Sequence, residues 1–215
     1  MTDVWSSRAE GYRSAVEQRE GEDLDLIVAW CAGAKTALDV ASGGGHVARR
    51  LREAGLDVIT CDPAPGMHPD VICRAEDLPF APGSFDVVVT RIAPHHFDDV
   101  PAAIAAMARA SRGLVVVEDT LWASERVEEA ERLRDPTHVR SYTEAEWRSF
   151  LMDAGLVLDE VRHIEKTHPF DAWLARTGCA GEEAERVRAL LSARTTPDGS
   201  AWTDVKVLLR ARKGS

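Results

Sequence analysis

The stretch LDVASGGGHVA, residues 38–48, decides how this chain begins to fold. It starts inside a short apolar run, 36–40, that predicts a buried strand, and it ends inside a run of helical spacing, 47–54. The three glycines between these runs allow a tight turn and let the backbone approach a ligand closely. The N-terminus of the next helix then offers free N–H groups and the positive end of the helix dipole. The stretch therefore predicts a strand, a nucleotide-binding loop and a helix.

An acid at the end of the next predicted strand fits a nucleoside ligand. Asp62 follows the strand predicted at 57–61 and lies 23 positions after Asp39. In an open α/β sheet, an acid there points at the ribose and accepts hydrogen bonds from both hydroxyls. The loop alone does not choose the cofactor, because residues 43–48 also fit the dinucleotide fingerprint G-x-G-x-x-A.

Strands and helices alternate along most of the chain. Further strands are predicted at 71–73, 85–90, 114–118, 156–167 and 201–212, and further helices at 23–33, 101–111, 124–134, 143–154 and 182–193. Alternation through the first two-thirds favours a mostly parallel sheet with helices on both faces. The last two strands lack a long apolar crossover helix, so we expect the final strand to run antiparallel at an edge.

Length and composition restrict the class of protein. The 215 residues fit a single domain, 1–215. A formal net charge of −10 disfavours a nucleic-acid partner, because an acidic surface repels phosphates. The four cysteines lie far apart, with neither metal-ligand spacing nor a disulfide framework. We see no apolar signal region and no membrane span, so a cytoplasmic location is expected.

Three further stretches carry a more specific pattern: ITCDPAPGM (59–67), AEDLPFAPGSFDVVVTRIAPHHFDD (75–99) and RDPTHVRSYTEAEW (134–147). Together with the loop at 38–48, they resemble the class I S-adenosylmethionine (SAM)-dependent methyltransferases, in particular the branch similar to the ubiquinone/menaquinone-biosynthesis C-methyltransferases. The resemblance implies an α/β fold, a Rossmann-like three-layer α/β/α sandwich with a mostly parallel seven-stranded sheet and an antiparallel last strand. It also implies SAM as the cofactor and methyl transfer to an O, C or N nucleophile of a small molecule.

The resemblance also implies which residues bind the cofactor. The methionine moiety of SAM is lined by Asp39, Ala41, Gly43 and Gly45, with Arg91 close by. Asp62 takes the ribose hydroxyls. The adenine is flanked, largely through backbone, by Ala75, Glu76 and Asp77. The same cofactor site includes Ser42, His46 and Pro63.

Histidines are the candidate catalytic residues. The positive sulfur of SAM already activates the methyl group, so a protein base helps only where the acceptor is protonated at neutral pH. Imidazole titrates near that pH. His95 and His96 follow a strand end, where ligands gather in open α/β sheets, and the resemblance places the loop with His138 over the active site. The alternative for each is a polar loop histidine outside the site. No metal site is expected.

Two segments are expected to close this site. Residues 1–33 are predicted to form an N-terminal helical flap, with Trp5 and Tyr12 folding over the cofactor. Residues 168–200 are predicted to form a helical substrate lid, in which Trp173 walls an apolar pocket.

Three features depart from the family pattern. Ala41 stands where the first loop glycine is usual, and its methyl group fits if its φ is negative. Arg74 stands where an acid often contacts the adenine. Only residues 63–69 separate the second and third strands, which is short for a parallel crossover. We therefore expect an extended loop and an exposed apolar strip on the sheet, which would support a homodimer.

Two other functions stay open at this point. An NAD-dependent oxidoreductase accounts for the loop and Asp62 but not for AEDLPF at 75–80, and Tyr142 has no lysine four positions later. A SAM-binding protein that transfers no methyl group would carry the same loop. The acceptor molecule is not fixed by the fold.

Overall fold

The computed structural model describes residues 4–214, apart from the side chains of residues 16 and 17. Residues 1–3 and 215, the ends of the predicted domain, lie outside the described part. The strands are β1 (Thr36–Val40), β2 (Asp57–Asp62), β3 (Val71–Ile72), β4 (Phe85–Arg91), β5 (Ser111–Thr120), β6 (Leu156–Pro169) and β7 (Ala201–Lys213). The helices are α1 (Val4–Ser14), α2 (Val16–Arg19), α3 (Glu22–Trp30), α4 (His46–Glu53), α5 (Val100–Ala110), α6 (Glu125–Arg134), α7 (Glu144–Asp153), α8 (Phe170–Ala175) and α9 (Gly181–Leu190).

The order of the strands creates a crevice. Across the sheet the order is β3-β2-β1-β4-β5-β7-β6. The pairs among β1, β2, β3, β4 and β5 are parallel, and the chain turns toward β2 after β1 but later returns on the other side as β4. Ligands bind at such a reversal in open α/β sheets, outside the carboxyl ends of the strands. The predicted α/β sheet of seven mostly parallel strands is confirmed.

The final strand is antiparallel, as predicted, but its predicted place at an edge is wrong. β7 lies between β5 and β6 and pairs antiparallel with both. Its central residues Val207, Leu208 and Leu209 are fully buried, which suits an inner strand. β6 is the edge strand, and it carries charged residues and a register shift near Leu158, features that protect open edges.

Helices cover both faces of the sheet and complete the three layers. On one face, Ile27 of α3 and Leu51 of α4 pack against the sheet. On the other face, Met107 of α5 and Trp147 of α7 do so. A third cluster joins α6, α8 and α9 around Trp202 of β7. Among the helices described, none is long and apolar enough to cross a membrane.

The crossover between β2 and β3 is short, as predicted, but the expected exposed apolar strip is covered. A single 3-10 turn, Pro65–Met67, replaces a helix. Helix α1 packs on this turn and buries Ala64 and Met67. The approach is close, because a Cβ on Gly66 would lie 2.6 Å from the Cα of Ser6. Ile72 of β3 remains 60% exposed at this edge of the sheet, and the homodimer stays a prediction.

Candidate active site

One cavity of about 560 Å³ opens at the carboxyl ends of the central strands. Ten of the twelve predicted cofactor residues line it: Asp39, Ala41, Ser42, Gly43, His46, Asp62, Pro63, Ala75, Glu76 and Arg91. The predicted catalytic residues His95, His96 and His138 line it too. Gly45 and Asp77 are not on its wall: Gly45 is the N-cap residue of α4, and Asp77 belongs to a turn closed by its N–H and the Arg74 carbonyl.

The loop after β1 has a left-handed backbone at three places. Gly43 and Gly45 have φ values of 49° and 74°, and Ala41 has a φ of 54°. The expectation of a negative φ at Ala41 is therefore wrong. A left-handed alanine costs about 1–2 kcal/mol. The neighbouring N–H of Ser42 compensates by donating to the Cys61 carbonyl at 3.0 Å, which fastens the loop to β2.

Two buried carboxyl groups shape this loop. Oδ2 of Asp39 accepts a hydrogen bond from the Ala48 N–H at 3.0 Å, which joins β1 to the first turn of α4. Burial raises the pKa of Asp39 to about 7. Asp62 accepts from the Gly43 N–H at 3.0 Å and from the Ala64 N–H at 2.9 Å. The Asp62 carboxylate therefore lies beside the loop, on the wall of the cavity.

Arg91 belongs to a buried ionic network. Its Nε donates to Asp23 of α3 at 2.8 Å and to Glu118 of β5 at 3.0 Å. Lys166 of β6 donates to Asp23 at 2.7 Å. The network ties α3 to three strand ends beneath the cavity. Sequence reasoning missed Asp23 and Lys166, because they come from segments far apart in the chain.

The three histidines on the cavity wall lie close to one another. Their ring centroids are 4.1 Å apart for His95 and His96, 5.4 Å for His95 and His138, and 6.4 Å for His96 and His138. The His95 carbonyl accepts from the Val139 N–H at 2.9 Å, which holds the loop of His138 over the strand ends. Within residues 4–214, no three His, Cys, Asp or Glu side chains are grouped as metal ligands would be.

His95 forms a buried pair with Asp119, the last acid of β5. Its Nδ1 lies 2.5 Å from Oδ1 of Asp119. Burial raises the pKa of Asp119 to about 7 and lowers the pKa of His95 to about 3. The two groups therefore titrate as a unit. Above about pH 7 Asp119 is ionised, accepts from Nδ1–H, and leaves Nε2 of His95 unprotonated.

Both ends of the chain contribute to the cavity wall. Trp5 and Tyr12 of α1 line it, and the Trp5 ring lies 4.5 Å from that of His96. Nε2 of His46 lies 2.9 Å from the Tyr12 carbonyl, so α1 touches the glycine-rich loop. From the predicted lid, Trp173 lines the cavity. β7 adds Lys206, a residue that no local motif indicated.

The sheet order, the loop beside Asp62 and the shared cavity define a class I SAM-dependent methyltransferase. Residues 12–161 match the family model described as "Methyltransferase domain", and the chain belongs to this methyltransferase family. Family membership decides against the NAD-dependent oxidoreductase. Release of S-adenosylhomocysteine is the measurement that separates methyl transfer from SAM binding alone.

Individual relatives agree with this assignment. YcgJ of Bacillus subtilis, an uncharacterized methyltransferase, is 30% identical over 208 residues, which cover 85% of this chain and 82% of YcgJ. The YcgJ crystal structure has a TM-score of 0.80 at 23% identity and covers 89% of this chain and 98% of that chain. Geranyl diphosphate C-methyltransferase from Streptomyces coelicolor A3(2), in complex with Mg²⁺, geranyl diphosphate and S-adenosylhomocysteine, has a TM-score of 0.63 at 15% identity, covering 89% and 77%.

Proposed function

We propose that this chain binds SAM along residues 41–46 and Asp62 and transfers its methyl group to a small molecule held beside His95, His96 and His138. One observation carries the proposal: a single cavity is lined both by the glycine-rich loop and by the three histidines. Its volume of about 560 Å³ lies within the range of about 300–1,000 Å³ that is usual for small-molecule sites.

The residues around the glycine-rich loop suit SAM. The ribose hydroxyls of SAM are hydrogen-bond donors. Each oxygen of the Asp62 carboxylate accepts one N–H group of the protein and keeps a second lone pair for such a donor. A Cβ on Gly43 would meet no atom within 4 Å, so the backbone of the loop is open to a ligand. The N-cap residue of helix α4, Gly45, has no side chain, and Asp39 accepts from the Ala48 N–H, which leaves the N–H groups of His46 and Val47 for the carboxylate of the methionine moiety.

Bound SAM would supply a methyl group that its sulfonium has already activated. The residues of the chain then have to orient the acceptor in line with that methyl group and keep water away. Trp5 and Tyr12 of α1 and Trp173 of α8 lie on the cavity wall. We propose that these segments act as the flap and the lid that were expected from 1–33 and 168–200.

Isothermal titration with SAM, S-adenosylhomocysteine and NAD tests the cofactor assignment. We expect the first two to bind and NAD not to bind. Asp62→Ala should weaken SAM binding at least tenfold, because the variant loses the ribose contact. Asp57→Ala, an exposed acid on the same strand, is the matched control and should bind like the parent protein. Binding of NAD without SAM would contradict the proposal.

The remaining expectations concern the class of acceptor, the cellular location and the oligomeric state. The net charge of −10 supports a small-molecule acceptor rather than a nucleic acid. We keep the cytoplasmic location as a proposal. A homodimer stays a prediction, to be checked by the mass of the protein in solution.

A further inference from the structure

We propose that the acceptor is a hydroxylated planar ring, a phenol or enol with a further O–H or N–H group, and that Asp119 positions His95 to receive the hydroxyl proton. The proposal rests on the proposed function, since it concerns the acceptor end of the same cavity. Three hydrogen-bonded imidazoles and the aromatic wall beside them carry it.

Each imidazole has one nitrogen held by a group that accepts hydrogen bonds. Nδ1 of His96 lies 3.0 Å from the Thr137 carbonyl, which can only accept. Nε2 of His138 lies 3.2 Å from the Glu128 carboxylate. Burial of Glu128 is outweighed by its hydrogen bonds from His138 and Ser141, which lower its pKa and keep it ionised. The nitrogen beside each of these acceptors therefore carries the proton: Nδ1 in His96 and Nε2 in His138. The same holds for Nδ1 of His95 when Asp119 is ionised.

Burial lowers the pKa of His95 and of His96, so the second nitrogen of each of these two rings is an acceptor on the cavity wall. Nε2 of His95, Nε2 of His96 and Nδ1 of His138 make no hydrogen bond within residues 4–214, and none of them is among the buried unpaired atoms. The two neighbouring lone pairs of His95 and His96 require donors from the ligand. An acceptor molecule with at least two O–H or N–H groups supplies these donors, whereas a fully alkylated ring does not.

Two cations near the histidines, Arg134 and Lys206, are already paired with acidic side chains and do not favour an anionic ligand. Arg134 donates to Glu131 at 3.0 Å. Lys206 donates to Asp204 and to Thr120, each at 2.7 Å. Arg134 and Lys206 are thus paired within the protein, which suits an uncharged acceptor.

The wall beside the histidines is aromatic and favours a flat ring. Trp5 contacts His96 edge-on, its ring centroid lies 6.0 Å from that of Tyr12, and both residues line the cavity. Aromatic faces gain most from planar partners. The hydroxyl groups of a hydroxylated ring therefore donate hydrogen bonds to the histidine nitrogens, and its flat ring packs against the aromatic side chains.

The proton transfer balances without another reactant. The hydroxyl oxygen forms a bond to the methyl carbon while the carbon–sulfur bond breaks and its electron pair stays on sulfur. The hydroxyl proton passes to Nε2 of His95, and the positive charge of the sulfonium is lost. His95 and Asp119 then return the proton to solvent.

The pH dependence follows from the same pair. The charged and titratable groups facing it are His96, His138, Glu131, Arg134 and Lys206. Below about pH 7 Asp119 is protonated and donates to Nδ1 of the neutral His95 ring. The ring's own proton then lies on Nε2, which cannot act as a base. The rate of methyl transfer should therefore rise as the pH increases through about 7.

The test uses the full chain, SAM and three probes: catechol, phenol and 1,2-dimethoxybenzene. Release of S-adenosylhomocysteine and binding of each probe are measured. We expect catechol to be O-methylated fastest, phenol more slowly, and 1,2-dimethoxybenzene not to bind. Asp119→Asn should lower kcat at least a hundredfold and remove the rise near pH 7, with SAM affinity unchanged. Asp153→Asn, an exposed acid at the end of α7, is the control.

The outcomes separate the two proposals. Failure of SAM to bind would defeat the proposed function. If SAM binds but no hydroxylated probe is bound or methylated, or 1,2-dimethoxybenzene binds as well as catechol, the acceptor assignment is overturned. Nitrogen-15 NMR of the parent protein above pH 7 gives a second readout that needs no variant. We expect an unprotonated Nε2 for His95 and His96, and an N–H at that atom would contradict the assignment.

Discussion

Arg8 of α1 donates a hydrogen bond to Oδ1 of Asp135 across 3.0 Å, and this contact ties the N-terminal helix to the loop that carries His138. Arg8 also donates to the Thr177 carbonyl at 3.0 Å, just after α8. Burial of Asp135 is outweighed by its hydrogen bonds from Thr137 and Arg8, which lower its pKa to about 2 and keep it ionised. The proposed flap and the proposed lid are thus fastened by one arginine.

We expect Arg8→Ala to speed the dissociation of SAM about tenfold, because hydrogen bonds to charged groups are worth about 1.5–3 kcal/mol. Stopped-flow tryptophan fluorescence measures this rate, since Trp5 lines the cavity. The control is Arg148→Ala on α7, because its side chain is 54% exposed and its partner Glu144 lies one turn away on the same helix. Equal dissociation rates for the two variants would show that α1 does not close the cofactor site.

Gly44 is required by a close approach rather than by its backbone angle. A Cβ on Gly44 would lie 2.8 Å from the Tyr12 carbonyl oxygen and 2.8 Å from Nε2 of His46. Gly44→Ala should therefore push α1 away from the loop and weaken SAM binding about tenfold in a titration. Gly113→Ala is the control, because nothing lies within 4 Å of its new Cβ. An unchanged affinity in Gly44→Ala would mean that α1 moves without consequence for the cofactor.

Asp39 should make stability depend on pH. Its pKa is raised from 3.8 to about 7 in the folded protein. Between these values the native state keeps a proton that the unfolded chain has released, so the free energy of unfolding falls as the pH rises. Asp39→Asn removes this decrease in the free energy of unfolding, because an amide does not titrate, and its side-chain oxygen still accepts from the Ala48 N–H.

Urea unfolding from pH 4.5 to 8 measures the effect. The stability of Asp39→Asn relative to the parent protein should increase by about 2–4 kcal/mol across this range, at about 1.4 kcal/mol for each pKa unit. Asp57→Asn on the exposed end of β2 should show no such trend. A difference that stays constant with pH would contradict the raised pKa of Asp39.

Removing the Arg91 cation from the buried ionic network should lower the stability of the protein. The Arg91 side chain is 4% exposed, and Arg91→Met leaves Asp23 and Glu118 without this partner. We expect the free energy of unfolding to fall by about 3–5 kcal/mol, as when one member of a buried ion pair is removed. Arg112→Met removes an arginine that is 59% exposed and pairs with Asp86 at the surface, and it should cost about 1 kcal/mol or less. Similar losses in both variants would indicate that the network contributes little.

Local patterns in the sequence were sufficient for much of the fold. The strand, loop and helix at 36–54 were predicted from apolar spacing and three glycines, because these features act over a few residues. The helix predicted at 143–154 likewise matches α7, whose start is fixed by a capping box of Thr143 and Glu146 with both hydrogen bonds present. The same reasoning placed Asp62 at a strand end, where it meets the loop.

Only the tertiary structure decided how distant segments meet. β7 lies inside the sheet because its apolar run needs burial on both faces, while the charged β6 tolerates the edge. The left-handed φ of Ala41 depends on the anchoring of the loop to β2, which no property of alanine indicates. The pairing of His95 with Asp119 joins residues from two strand ends, and sequence spacing carries no information on such a contact.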